Sequence, residues 1–439
     1  MQAMTPAEPM GRTAMNDGST AATKREARRP LSLLVRLTLF AIFLPDEASF
    51  AFGGLRFTIV RFLFVILTPL VFGRFAMAFV GKGYIFVLSD LLFPLAAIWM
   101  FVAPGLAQGF DKSFVTSGSN VLEFVLPYMI ARLYLTNFRD IQRAVNIICF
   151  VMAFAGVVAM LDEITGRYIL RTTLGQLTGW LRPDYRYDYR GGLMRAAAMF
   201  EHPILLGAAS AMTIMLATSI KSAAKYAIIS LMFCGLILAI SSGPIGSLFI
   251  ALLLLIYRSM LPGLLARWRL LTGSVLGFFT IFIVFVDKPL NRLLNYLTFD
   301  VASAYYRIMV WDAALPLVIN SPWVGIGLGE DWARENWMGS SVDAFWLRLA
   351  MQYGIPGVTL IFLCLLTSML IPVDDKAKTG QLTDEESYLG TVLSIIICTT
   401  FCLGFTVHFW GIYSMLLCLC AGMRANIGTI ARSRQRGLS

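Results

Sequence analysis

The chain has 439 residues, of which 58% are hydrophobic and only 14% charged. Soluble domains carry roughly 25% charged residues, so a soluble multidomain enzyme is excluded, and the apolar runs recurring from residue 31 to 423 leave no room for a separate soluble unit. The net charge of +10 comes from 36 Lys and Arg scattered among those runs, a pattern that sets membrane topology and makes no nucleic-acid-binding face.

An all-α, polytopic membrane helical bundle is therefore expected. Residues 1–30 read as a disordered cytoplasmic tail ending in Lys24, Arg25, Arg28 and Arg29. No small-residue cleavage site follows, so the first apolar run reads as an uncleaved span. With about 20 apolar residues needed to cross a bilayer, about twelve spans are expected, near 31–45, 57–73, 84–103, 120–137, 141–161, 203–220, 226–240, 244–258, 270–286, 349–371, 387–403 and 407–423. Residues 31–423 thus form one transmembrane domain. The cysteines (Cys149, Cys234, Cys364, Cys398, Cys402, Cys418 and Cys420) all fall in apolar runs, where a thiol behaves as a small hydrophobe. They suggest neither a disulfide framework nor a zinc site.

Cytoplasmic loops are enriched in Lys and Arg. Arg74 with Lys82, Arg139 with Arg143, Lys221 with Lys225, Arg258 with Arg267 and Arg269, and Lys376 with Lys378 all fall in alternate short loops. This orientation puts both termini in the cytoplasm, the second as a basic tail over 424–439. It leaves two long segments outside, about 162–202 and 287–348. Loops held by a rigid scaffold are where sites concentrate. Arg292–Leu297 shows a helical amphipathic period, so part of the second segment is expected to be a helix on the membrane surface.

Arginines on the translocated side run against the usual charge bias and call for a reason. One is an anionic ligand, since a guanidinium grips phosphate or pyrophosphate bidentately. The other is that Arg182, Arg186 and Arg190 pair with Asp184 and Asp188 in a solvated loop. Arg195 stands apart, because Gly191–Met194 lead into it and Ala196–Phe200 follow, which places a charge at the mouth of a span. His202, in Glu201-His202-Pro203, is either a general base or a helix N-cap with proline in the first turn. Asp343 is either a carboxylate that takes a proton from a sugar hydroxyl or a helix cap. His408 reads as a hydrogen-bonded packing residue. The GIGLG run from Gly325 to Gly329 lacks dinucleotide spacing and reads as a tight turn allowing close approach of a ligand or helix. No DxD or Walker sequence appears, which disfavours a metal-dependent nucleotide-sugar transferase.

These blocks resemble the O-antigen ligase and O-antigen polymerase superfamily, bacterial inner-membrane proteins that join undecaprenyl-pyrophosphate-linked glycans. The matching residues are Arg195, Phe200, His202 and Pro203; Arg307 and Trp311; Pro322 to Gly329; Val342 to Leu347; and Tyr353 to Gly357. The resemblance covers about residues 190–365. It implies a GT-C-like fold, metal-independent inverting glycosyl transfer on the periplasmic face without a cofactor, and arginines that hold the pyrophosphate, Arg195 and Arg307 here, with Arg190 beside them. Asp343 stands where ligases of the family carry a histidine, Ala344 replaces the Asn of an Asp-Asn pair, and Ser241-Ser242-Gly243 lacks the usual arginine. A polymerase of exopolysaccharide or O-antigen is therefore expected ahead of a ligase acting on lipid A-core. Implied partners are the lipid-linked glycan, membrane lipid and other polysaccharide assembly and export proteins. Aromatic residues of the outer segments either stack on sugars or form a membrane-surface belt. A transporter also fits about twelve spans, but the halves show no repeat, and charged residues concentrate in the outer segments instead of at midspan.

Overall fold

The computed structural model describes residues 30–81, 84–181, 187–261, 267–286, 292, 301–329, 332–339, 341–373, 377 and 379–436. Among them are fourteen helices: α1 (Leu33–Ile42), α2 (Ile59–Val80), α3 (Leu88–Gln108), α4 (Phe110–Tyr134), α5 (Phe138–Thr165), α6 (Ile169–Thr178), α7 (Pro203–Ala217), α8 (Lys225–Leu238), α9 (Ser242–Met260), α10 (Arg267–Phe285), α11 (Val301–Asn320), α12 (Phe345–Thr367), α13 (Asp384–Leu403) and α14 (Gly411–Gln435). Two antiparallel hairpins accompany them, β1 (Ser49–Phe52) with β2 (Leu55–Thr58) and β3 (Tyr189–Arg190) with β4 (Leu193–Met194).

Each expected apolar run overlaps a helix, but eight of these helices are long and apolar enough to cross a membrane. These are α2, α3, α5, α9, α10, α12, α13 and α14, and they make the chain a multi-pass membrane protein. Helices α1, α7 and α8 are shorter apolar helices; at 1.5 Å per residue, the 15 residues of α7 reach about 22 Å, less than a hydrocarbon core of about 30 Å. Helix α4 is 25 residues long but carries Asp111, Lys112, Glu123 and Arg132.

Local sequence sets the helix ends. Ser32, Thr58 and Asn137 cap α1, α2 and α5, each accepting a hydrogen bond from the amide three residues on. Thr383 and Glu386 form a reciprocal capping box at α13. Helix α7 is buried on every face, through Gly207, Ala208, Ala209, Ser210 and Ala211 among others, the mark of a helix at the bundle centre. Small residues of this kind let neighbouring backbones come close, and α8, α9 and α13 pack around it.

At one end of the bundle, α3, α4 and α14 enclose a buried polar knot. Arg132 donates from Nε to Asp90 Oδ1 (2.7 Å), from Nη2 to Asp90 Oδ2 (2.6 Å) and Ile85 O (3.0 Å), and from Nη1 to Asn426. Tyr128 donates to Asp90 Oδ1, and Asn426 closes on the carbonyls of Ala131 and Leu135. Helix α14 thus runs well past residue 423. Arg424 is buried and donates to Ser394 Oγ and Ile371 O, so most of the stretch expected as a basic tail is packed helix. The expected tail at 1–30 lies outside the described residues, save Pro30.

The two segments expected as long loops are largely built. The first holds α6 and the β3–β4 hairpin, the second α11. The surface helix expected at Arg292–Leu297 lies outside the described residues except for Arg292.

Candidate functional site

The predicted residues collect in two groups. Arg195 follows the β3–β4 hairpin, where its amide donates to Asp188 O (2.8 Å) and the next amide, of Ala196, donates to Leu238 O (2.9 Å). This sews the hairpin to the end of α8. The Arg195 side chain folds inward, only 5% exposed. Nη1 donates to Asp188 Oδ2 (2.6 Å) and Nε to Ala239 O (2.9 Å), while Nη2 is buried without a hydrogen-bond partner. Burial works against the guanidinium charge and lowers its pKa; Asp188 opposes that shift and Arg190 adds to it. Arg190 donates to Ile240 O (3.2 Å). The expected pairing partners Arg182, Asp184 and Arg186 lie outside the described residues, and Asp188 serves Arg195.

The backbone here is strained. Ala198 (φ 51) and Ile240 (φ 44) are the positive-φ residues other than glycine among the described residues, and both sit in this group. Such conformations persist where surrounding contacts over-determine them, and they cluster at functional sites. Asp162 supplies such contacts, accepting from the amides of Ala198 (2.8 Å) and Ile169 (2.9 Å). Arg171, one of the outer arginines, is structural: it pairs with buried Glu47 (2.7 Å) and donates to the carbonyls of Phe200 and Glu201.

His202 is the N-cap of α7. Its Nδ1 accepts from Ile204 N (3.1 Å), Pro203 follows as the first helical residue, and Nε2 lies 3.9 Å from Asp188 Oδ2. A neutral imidazole with one nitrogen accepting carries its proton on the other. In this arrangement His202 serves as the helix cap, and its other nitrogen faces Asp188.

The second group is built on α11 and the start of α12. Arg307 lies one turn before Trp311 on α11, and the Trp311 ring stacks on Phe405 with centroids 6.4 Å apart. Val342 and Ala344, which flank Asp343, share a buried cluster with Val310 and Ala314 of α11. Asp343 is not a cap: Ala344 is the N-cap residue of α12, and Asp343 Oδ1 accepts from Ser341 Oγ (2.6 Å). Asp343 is half-buried just before α12, and among the described residues its carboxylate is held by this short contact. Trp332 is buried in the same cluster, whereas Trp323 (73%) and Trp337 (58%) are exposed; of these three, only the last two are open to a sugar.

The loop between α13 and α14, residues 404–410, joins the groups. Phe405 meets Trp311, and Val407 O and Gly404 O accept from the amides of Phe345 and Trp346. The Trp410 ring lies 6.2 Å from His202 and 5.1 Å from His408. His408 was expected to be hydrogen-bonded, yet its Nδ1 is buried without a partner. Burial, with Arg348 adding to it, pushes the His408 pKa down to about 3, so the ring is neutral at ordinary pH. His408 and Trp410 line a cavity of ≈ 290 Å³.

Sequence reasoning missed this cavity, together with Arg61, Glu123 and Arg348 around it. The signal was present, because Glu123 interrupts an apolar run and Arg61 sits at the start of another, and an ionisable residue inside a span marks function or pairing. Arg61 Nε donates to Glu123 Oε1 (2.6 Å) within the bundle. This pair and Arg132 with Asp90 add charge inside expected spans, Arg61, Asp90 and Arg132 near helix ends and Glu123 within α4.

The glycine-rich run serves the scaffold. Gly325 (φ 72) and Gly354 (φ 69) allow the 322–328 loop to lie on a break in α12: a Cβ on Gly325 would meet Met351 O, and one on Gly354 would meet Trp323 O. Ile326 N donates to Met351 O and Ile355 N to Pro322 O, both 2.7 Å. The close approach is to a helix. Among the described residues no group of three or more His, Cys, Asp or Glu converges as a metal site, and the cysteines are free. No protein-family model and no curated protein matches the chain.

Proposed function

We propose that the protein is a bacterial inner-membrane glycosyltransferase, resembling the O-antigen ligases and polymerases, that extends undecaprenyl-pyrophosphate-linked glycans on the periplasmic side. In this reading about twelve helices cross or enter the membrane in a GT-C-like bundle with both termini in the cytoplasm. The observation that carries it is Arg195, a buried guanidinium with an unused donor, braced by Asp188 and strained backbone at the bundle end where the second group also meets the 404–410 loop. Arg195 and Arg307, with Arg190 at the rim, hold the pyrophosphate of the donor. The acceptor sugar hydroxyl attacks the anomeric carbon, its proton passes to the Asp343 carboxylate, and the bond to the pyrophosphate oxygen breaks. Undecaprenyl pyrophosphate departs with its charge held by fixed guanidinium groups. His202 presents its proton toward Asp188, the carboxylate that braces Arg195.

The test is elongation of an undecaprenyl-pyrophosphate-linked oligosaccharide by the purified full-length protein with EDTA present. Arg195→Ala and Arg307→Ala are expected to lower the rate by about 10²-fold or more, and Arg195→Lys to keep the fold while losing most of the rate, because the bidentate fork is gone. No elongation by the wild type, or full rate in both alanine variants, overturns the proposal.

One observation favours a transporter as the second reading. Helix α12 is broken at Gly354 and Pro356 beside the cavity, and discontinuous helices flanking a polar site are usual in transporters. Flux of the same oligosaccharide into proteoliposomes without elongation decides for it.

A further inference from the structure

The cavity beside the 404–410 loop is enclosed by α3, α4, α12 and α14, and the segments read above place it in the outer half of the bundle. It measures ≈ 290 Å³, and its polar wall includes Asn120, Glu123, Arg348, Gln352, His408 and Trp410. A smaller space of ≈ 140 Å³ shares Asn120, Glu123, Trp410 and Gly411 with it and extends to Arg61 and Asp46.

The lining says what fits there. Thr116, Asn120, Gln352 and Ser414 bring hydrogen-bonding side chains to the cavity, Phe345, Tyr353, Phe409 and Trp410 bring aromatic ones, and Arg61 beside it is neutralised by Glu123 at 2.6 Å. Aromatic faces suit the C–H faces of a sugar ring, and amide, carboxylate, imidazole and indole groups suit its hydroxyls. A polyprenyl chain would leave those polar groups unsatisfied. A pyrophosphate would face the Glu123 carboxylate as well as Arg348. The ring of Trp410 faces His202 as well as His408, so the cavity adjoins the Arg195 group.

We propose that this chamber binds a neutral pyranose residue of the acceptor glycan, its hydroxyls on Asn120 and Gln352 and its ring against the aromatic lining. The proposal rests on the glycosyltransferase reading and names the place of the acceptor within it. The chamber thereby selects which glycan is extended, while the arginine groups hold the donor's pyrophosphate.

The probe is a synthetic repeat unit of the host glycan carrying a short alkyl group in place of undecaprenyl pyrophosphate, which serves only as acceptor. Gln352→Leu removes hydrogen-bonding groups, and Ser414→Phe fills the chamber from α14. In an elongation assay on folded, full-length protein, each is expected to raise the KM of the alkyl repeat unit by about tenfold or more, the worth of one lost hydrogen bond, with the loss falling on this KM and not on that of the lipid-linked donor. An unchanged acceptor KM in both variants, with the wild type elongating, overturns the chamber and leaves the enzyme reading standing. If the wild type elongates nothing, calorimetry decides the chamber separately: binding of the alkyl repeat unit to wild type and its loss in both variants upholds a sugar site, and absence of binding to wild type overturns it.

Discussion

Two buried arginines, Arg132 and Arg195, show how the same side chain serves two ends of one bundle. Arg132 gives all its nitrogens to fixed partners: both oxygens of Asp90, the Ile85 carbonyl and Asn426. Arg195 has one carboxylate, one backbone carbonyl and a buried nitrogen left over, beside two strained residues. A closed network fixes helix register and excludes ligands, whereas an open one is held ready for another group. The polar knot near Asn426 lies about 22 Å along α14 from the loop before Gly411, at the helical rise per residue. The bundle has a closed polar network at one end and a buried, unmatched donor at the other.

The comparison can be broken most forcefully at the locked end. Arg132→Ala strands the Asp90 carboxylate in the bundle and is expected to cost about 3–5 kcal/mol, seen as a collapse in thermal stability of the purified protein; a stable variant would show that the knot is not a lock. At the open end a milder pattern is expected on acidification. The folded state holds His408 neutral down to about pH 3, whereas the unfolded chain takes up the proton below about pH 6.5. Stability is thus full above that value and falls as pH drops toward 3, by about 1–2 kcal/mol between pH 7 and 5. His408→Leu should flatten that slope in denaturation curves taken across the range.

Smaller effects sharpen the contrast. Asp188→Asn keeps a hydrogen-bond acceptor for Arg195 but removes the charge that steadies it, so elongation is expected to drop about tenfold while the melting temperature stays close to wild type. A rate equal to wild type would show that Asp188 does not position the arginine. Smallest is Ala198→Gly, expected to stabilise by up to about 1 kcal/mol, because glycine relieves the strain of a positive φ. A gain in stability joined to a loss of rate would tie the strain to function.

Much of the fold could be read in the sequence because hydropathy acts over windows of about 20 residues, longer than any ambiguity in helix ends. The site was legible only in pieces. Arg195, His202, Arg307 and Asp343 stood out as polar residues in unusual places, yet that His202 caps α7 through a bond from Ile204 appeared only in the structure. His408 looked like packing, because nothing in its neighbours along the chain announced that Phe345, more than sixty residues away, would pack on its ring with one nitrogen unmatched.

By itself, the sequence determined that the chain forms a helical membrane bundle and that its apolar runs become helices, since burial of apolar runs and satisfaction of backbone hydrogen bonds within each helix are local requirements, whereas α6 and α11 in the two long outer segments were not legible in it. The tertiary structure alone decided that Glu123 meets Arg61, that Asp90 closes on Arg132, and that a loop between the last two helices joins two clusters lying more than a hundred residues apart in the chain. Charge pairs and cavities arise from contacts between distant segments, and hydropathy carries no information about which polar residue will face which.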